Sequence, residues 1–170
     1  MRVLGVDPGV SETGWAVLES AGTGGRLLDA GLIKTSPRTP LPERLQLIFR
    51  GLKDVIAKNR PESVAVEEMF FLQIAHTVRA TLQARGVVLL AVAESGLELA
   101  EYNPRQVKSA LTGSGTAPKA QMQKMTQAAL GLAEPLRPDD VADAAAIALA
   151  HLRAGRVKGL RVLDRVGGGK

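Results

Sequence analysis

The sequence predicts one α/β domain, built on a mixed five-stranded sheet that helices cover. Three apolar, strand-like runs follow one another at the start of the chain, with only short turns between them. Helical and strand-like segments then alternate, and a helix between two strands is the usual connection between parallel strands. The length of 170 residues suits a single domain with a full core.

The first three strands are predicted to form an antiparallel meander. Gly, Ser and Thr residues in short turns separate them, which is typical of consecutive antiparallel strands. The expected strands are RVLGV at 2–6, TGWAVLES at 13–20 and GRLLDAGLIKT at 25–35.

The remainder of the chain alternates between the two kinds of element, as its apolar periodicity shows. The first helix carries one apolar stripe, and Pro61 lies just past its end. The short third helix begins at Pro104, and the glycine-rich segment 112–118 predicts a flexible loop. The predicted elements are helix 40–59, strand 62–70, helix 72–95, strand 97–103, a short helix after Pro104, and helices 119–130 and 139–154.

The net charge of +5 lies at the end of the chain. From Leu152 onward there are six basic residues and one acid, so residues 1–151 are neutral. We therefore expect a folded domain over 1–154 and a basic, disordered tail over 155–170, which has too little apolar surface to order itself.

The composition also bears on the cellular compartment of the protein. The chain has no cysteine, and none of its apolar runs approaches the roughly 20 residues that span a bilayer. No leader-like segment precedes the first strand. These features predict a cytoplasmic protein without disulfides or thiolate metal sites.

Acidic residues stand at the ends of several predicted elements. Asp7 ends the first strand, and Glu67 and Glu68 end the fourth. Asp140 and Asp143 lie three residues apart near the start of the last helix, which puts them on one face. Since strand ends on one side of a sheet lie one or two strand spacings apart, these elements can bring their carboxylates together.

Such a group of carboxylates predicts a cation site. The charges repel one another and raise each other's pKa, so the group persists chiefly where a cation offsets it. All-oxygen ligands in a chain without cysteine favour Mg²⁺ or Mn²⁺ over zinc.

Each acid also has an ordinary interpretation. Asp-Pro-Gly is a common turn, a glutamate at a strand end can be solvated, and aspartates suit a helix N-terminus. Asp143 is harder to explain in this way, because its helix sequence VADAAAIALAHL is nearly all small and apolar. His151 is interpreted as a helix-end residue rather than a ligand.

Two adjacent aromatic residues follow the fourth strand. Phe49 lies on an amphipathic helix, where core packing explains it, but Phe70 and Phe71 cannot both point inward. One of them is expected to pack and the other to stack on a nucleic-acid base. The alternative is that both cover the apolar edge of a dimer interface.

Five motifs resemble the RuvC family of bacterial Holliday junction resolvases, over about residues 1–152. They occur in the family's order: LGVDPGVSETGWAV at 4–17, AVEEMFF at 65–71, QARGV at 83–87, YNPRQVKSALTGSGTAPKAQM at 102–122 and DDVADAAAIALAH at 139–151.

The resemblance implies a ribonuclease H-like fold and a homodimer. It also implies magnesium-dependent nicking of two opposed strands at a four-way DNA junction during recombination and repair, with the branch-migration motor as a potential partner. The family's metal-binding acids, its stacking aromatic and its two catalytically important lysines match Asp7, Glu67, Asp140 and Asp143, then Phe70, then Lys108 and Lys119.

Two-metal phosphodiester hydrolysis suits these residues. One carboxylate must reach both ions, about 4 Å apart, and Asp7 on the central strand is the best-placed candidate. Glu67 would then bind one ion, and Asp140 with Asp143 the other. The two lysines would offset charge at the scissile phosphate, although a solvated helix face is the usual position of a lysine.

The sequence departs from the family pattern in three places. Ile74 stands where relatives often carry an asparagine, the basic tail lies outside the shared region, and the last motif contains an aspartate doublet. For the doublet, we expect Asp139 to cap the helix through the N–H groups of Val141 or Ala142, since it follows Pro138. Asp140 is then left to reach a metal ion.

The long helix over 72–95 is apolar on more than one side, so we expect it to pair with its twofold mate. Other functions stay open at this point. Half of an actin-like ATPase would need a second domain, and a non-catalytic junction-binding protein has no use for converging acids. Within the same fold, an enzyme that processes ribosomal RNA or a plain ribonuclease H differs only in its substrate.

Overall fold

A computed structural model describes residues 1–22, 24–68 and 76–166, and gives side-chain surroundings for all of these except 76–78 and 156–166. Five strands and five helices follow in the predicted order. They are β1 (Arg2–Asp7), β2 (Glu12–Ala21), β3 (Gly24–Lys34), α1 (Leu41–Asn59), β4 (Ser63–Glu67), α2 (His76–Glu94), β5 (Glu98–Tyr102), α3 (Pro104–Thr112), α4 (Lys119–Ala129) and α5 (Asp139–Val166).

The sheet is mixed, as predicted, and β1 is its central strand. The strand order is β3-β2-β1-β4-β5. The meander β1-β2-β3 pairs antiparallel, while β4 runs parallel to both β1 and β5. Because β1 and β4 are parallel neighbours, both end at the same edge of the sheet.

Helices cover both faces of the sheet and divide the core in two. On one face, the small side chains of α5 pack against Leu18 and Val3 together with Leu111 of α3. On the other face, Ile48 and Leu52 of the α1 stripe pack against the sheet with apolar residues of α2. The central strands are therefore buried from both sides, which fits their almost continuous apolar sequence.

Helix α1 ends where its sequence stops favouring a helix. Arg60 adopts a left-handed conformation with φ of 49°, and its N–H donates to the carbonyl of Ile56. Helix α3 begins with a capping box in which the side chains of Asn103 and Gln106 each accept the other's backbone N–H at 2.9 Å. These helix ends fix the loop that leads from α1 into β4 and the loop that leads from β5 into α3.

Most predicted boundaries agree with the structure to within one residue, and two need comment. The fourth strand ends at Glu67, so Glu68 is not part of it, and residues 69 and 70 of the predicted strand lie outside the described residues. Helix α5 continues to Val166, although the sequence predicted an end at residue 154. Extending an existing helix needs no new nucleation, and Arg, Lys and Leu favour the helical state. The assignment of 155–170 to a separate basic tail stays a prediction.

Among the described residues, no helix combines the length and hydrophobicity that crossing a lipid bilayer requires.

Candidate active site

The carboxylates of Asp7 and Glu67 lie at the same edge of the sheet. Val6 of β1 is paired with Val66 of β4 in parallel register, so the next residue on each strand is an acid. Both acids are half-buried at the ends of otherwise buried strands. The sequence argument from strand ends therefore places these two residues correctly.

Helix α5 brings the other two acids to this edge because glycine lies beneath its first turn. Gly14 of β2 pairs with Asp7, and a β-carbon at Gly14 would lie 2.1 Å from the carbonyl oxygen of Asp140. Gly5 of β1 allows the same close contact one turn later, beneath Ala144. This role of Gly14 was not predicted from the sequence, although a glycine inside a strand often marks such a close contact.

The Asp7 carboxylate is affected by the charges of the other three acids. The pKa of Asp7 rises to about 7, first because the group is buried and then because Asp143, Glu67 and Asp140 are negatively charged. Burial and the charge of Asp143 also raise the pKa of Glu67. The structure therefore collects Asp7, Glu67, Asp140 and Asp143 into one group whose negative charge is not fully offset.

Two lysines stand beside this group. Lys108 and Lys119 line a cavity of about 200 Å³ together with Glu67 and Asp143. The ammonium of Lys119 donates to Asp143 Oδ2 at 3.0 Å and lies 3.1 Å from Asp139 Oδ2. The hydrogen bond to Asp143 is the main reason that the pKa of Lys119 is raised. Both predicted lysines thus belong to the candidate site.

The predicted capping role of Asp139 is wrong. Helix α5 begins at Asp139 itself, and the N–H groups of Val141 and Ala142 donate to the carbonyl of Pro138. The Asp139 carboxylate instead accepts a hydrogen bond from Gln123 Nε2 at 3.0 Å and pairs with Lys119, which lowers its pKa. The N-cap rule considers only neighbours in sequence, whereas these partners lie on α4.

The donor set suits a hard divalent cation. It consists of oxygen ligands, and the pKa values of Asp7 and Glu67 are raised by burial first and then by neighbouring carboxylates, whose charge a cation would offset. As the described side chains stand, no three carboxylate or imidazole groups are close enough to bind one ion. Asp143 is engaged by Lys119, so binding an ion requires at least a rearrangement of this pair.

Other predicted residues lie elsewhere. Phe70, Phe71 and Ile74 fall outside the described residues. His151 lies within the extended α5 rather than at its end, and its ring is hydrogen-bonded to Tyr102 Oη at 2.9 Å and Ser63 Oγ at 3.1 Å. It therefore connects α5 to β4 and β5.

Comparison with known proteins assigns the chain to a family. A family model described as crossover junction endodeoxyribonuclease RuvC matches residues 3–151. The chain belongs to the RuvC family. The match covers every element that contributes to the acid group, from β1 to the first half of α5.

Curated RuvC proteins are similar over most of their length. The crossover junction endodeoxyribonuclease RuvC of Chloroflexus aggregans is 48% identical over 151 residues, which cover 89% of this chain and 92% of that protein. The one from Desulfitobacterium hafniense strain DCB-2 is 43% identical over 168 residues, and 99% of each chain is covered.

Solved RuvC structures share the architecture. Thermus thermophilus RuvC in complex with a Holliday junction substrate superposes with a TM-score of 0.88 at 41% identity, covering 93% of this chain and 96% of that one. The yeast mitochondrial Holliday junction resolvase has a TM-score of 0.63 at 15% identity, covering 95% of this chain and 83% of that one. The second likeness concerns the fold alone, which is the ribonuclease H-like sheet predicted from the sequence.

Proposed function

We propose that this RuvC-family protein resolves four-way DNA junctions with paired nicks that depend on divalent metal ions, in recombination and repair. The observation that carries the proposal is the half-buried carboxylate group at the end of β1 and β4, beside Lys108 and Lys119. Family membership and the likeness to Thermus thermophilus RuvC, solved with a Holliday junction substrate, support the choice of DNA.

The four acids would hold two Mg²⁺ ions, for which Mn²⁺ is expected to substitute. We assign Asp7 to both ions, Glu67 to one, and Asp140 with Asp143 to the other. Ions at this position would polarise the phosphodiester and activate water. The burial that raises the pKa of Asp7 to about 7 also makes protons compete with cations for this carboxylate.

The lysines have a separate task. Lys119 neutralises Asp143 and Asp139 in the protein alone, where the ammonium is hydrogen-bonded to one and paired with the other. We propose that Lys119 moves to a DNA phosphate when the substrate and ions arrive, because the ions then compensate the aspartates. Lys108 would contact the same strand and offset charge that develops on the phosphate.

The exposed face of α2 supports the proposal of a homodimer. Leu82 and Leu90 are 41% and 53% exposed and lie eight residues apart on one face of the helix. Gly86 lies between them, and a β-carbon there would contact no atom within 4 Å. A second copy of the chain could therefore pack closely on this stripe and place two active sites on opposed strands.

The resemblance supplies three further proposals. Phe70, outside the described residues, would stack on a base near the crossover. The branch-migration motor is a predicted partner, and co-sedimentation on junction DNA tests it. We place the protein in the cytoplasm, since it must share a compartment with its DNA substrate.

A substrate comparison tests the proposed function. Purified protein is incubated with a labelled four-way junction, a linear duplex and an RNA–DNA hybrid of matched sequence, in Mg²⁺ or in EDTA. We expect paired nicks only in the four-way junction and only with Mg²⁺. Preferred cleavage of the hybrid would assign a ribonuclease H activity, and binding without cleavage would identify a junction-binding protein.

A further inference from the structure

A second cleft adjoins the acid group on the side away from the two lysines. It is open, has a volume of about 570 Å³, and is lined by Gly9 and Ser11 of the β1–β2 turn, by Thr35 after β3 and by Asp140. On the opposite side, Arg105 and Lys108 line a cleft of about 510 Å³. The cations that line the second of these clefts are Arg105 and Lys108, whereas the cation that lines the 570 Å³ cleft is Lys34.

Arg44 supplies a cation beside the 570 Å³ cleft, because it is hydrogen-bonded to two of the residues that line the cleft. Its Nε donates to Thr35 Oγ1 at 2.8 Å, and one of its terminal nitrogens donates to Ser11 Oγ at 3.0 Å. Thr35 is itself buried and fixed, because its hydroxyl donates to the carbonyl of Val10 and its N–H to that of Ser11. The guanidinium is therefore held at a defined position on the turn that follows Asp7.

The partners of Arg44 leave its charge uncompensated. Within the part of the chain that the structure describes, Arg44 forms no ion pair with a carboxylate. Lys34, which lines the 570 Å³ cleft, differs in this respect, since it pairs with Glu12 at 3.0 Å. A guanidinium has five N–H donors, of which the two hydroxyls engage only two.

We infer that Arg44 binds a backbone phosphate of the DNA strand that lies in the 570 Å³ cleft, on the far side of the acids from Lys108 and Lys119. This inference rests on the proposed function, because it takes DNA as the ligand. The planar guanidinium can meet two phosphate oxygens at once, and its fixed position lowers the entropy lost on binding. Ser11 and Thr35 act as positioning residues for Arg44.

Salt dependence of DNA binding tests this inference. Junction affinity is measured by fluorescence anisotropy in EDTA over a range of KCl concentrations, for the wild type, Arg44→Gln and Arg50→Gln. Arg50 lies on the same helix, is exposed and forms no ion pair among the described residues, so it is the matched control. For Arg44→Gln we expect about tenfold weaker binding and a slope of log affinity against log salt that is shallower by about 0.9 per protomer. Arg50→Gln should behave as the wild type.

The Arg44→Lys variant distinguishes a direct phosphate contact from a purely structural role of Arg44. It keeps the charge, so the salt slope should stay near that of the wild type while affinity falls because the two-pronged contact is lost. An unchanged salt slope in Arg44→Gln would overturn the inference, as would wild-type affinity in both variants. These slopes are read on any DNA, so they remain informative even if the wild type fails to cleave junctions and the proposed function falls.

Discussion

Replacing Gly14 with alanine should disable the site without removing any of its charged groups. The new β-carbon would lie 2.1 Å from the carbonyl oxygen of Asp140, whereas real β-carbons essentially never come closer than 3.0 Å to such an atom. The first turn of α5 must therefore move by about 1 Å relative to β2. A displacement of that size at a catalytic centre costs on the order of 10²-fold in rate.

The expected result for Gly14→Ala is thus a loss of about 10²-fold in single-turnover junction cleavage, together with weaker Mg²⁺ binding by calorimetry. Junction affinity in EDTA should be close to that of the wild type, because the basic side chains are retained. Assays are run below the melting temperature of the variant, which the strained contact also lowers.

Gly155→Ala is the matched control on the same helix. A β-carbon at Gly155 would meet only the end of Met1 at 3.6 Å, an ordinary contact. This variant should keep full activity and gain up to about 1 kcal/mol of stability from better helix propensity. Wild-type Mg²⁺ affinity and cleavage in Gly14→Ala would refute the view that the close packing of β2 and α5 sets the position of Asp140.

Three further predictions concern single residues of the site. In the folded protein Asp7 keeps its proton up to about pH 7, whereas in the unfolded chain it loses the proton near its ordinary pKa of 3.8. The free energy of unfolding of the metal-free protein should therefore fall as the pH rises between these two values. Denaturant unfolding at several pH values should show this loss of stability in the wild type and a smaller loss in Asp7→Asn. An equal loss in the variant would contradict the assignment of the pH dependence to Asp7. Asp140→Asn should abolish cleavage, while Asp139→Ser should keep most activity with little effect on stability, since the ion pairs of Asp139 are exposed. The reverse pattern of activities would exchange the roles of the two aspartates. Phe70→Leu should slow cleavage of intact junctions more than of nicked ones, and equal slowing would exclude a role in opening the crossover.

Periodicity and strand ends were sufficient to predict the sheet and the positions of Asp7 and Glu67 at one of its edges. Three consecutive strands and then alternating elements allow few arrangements, and β1 and β4 end in acids at the same edge. The positions of Asp7 and Glu67 follow from these local signals because parallel neighbours in a sheet share an edge.

The roles of Gly14, Asp139 and Arg44 depend on contacts between elements that are distant in sequence. Nothing local distinguishes Gly14 from a glycine that merely weakens a strand, until α5 is seen to lie on it. The helix-capping rule likewise misassigned Asp139, whose partners Lys119 and Gln123 come from α4. In the sequence Arg44 is one polar residue of an amphipathic helix, and its position beside Ser11 appears only in the folded protein.

The most direct test of the acid group is a comparison of junction nicking and junction binding in Asp7→Asn. The substitution removes one negative charge and adds no bulk, so the fold and the DNA-binding surface should be preserved. With Mg²⁺ and saturating protein, we predict that the wild type nicks opposed strands of a four-way junction, while Asp7→Asn binds the junction with similar affinity and leaves it intact. Nicking by Asp7→Asn at the wild-type rate would contradict the assignment of catalysis to this carboxylate group.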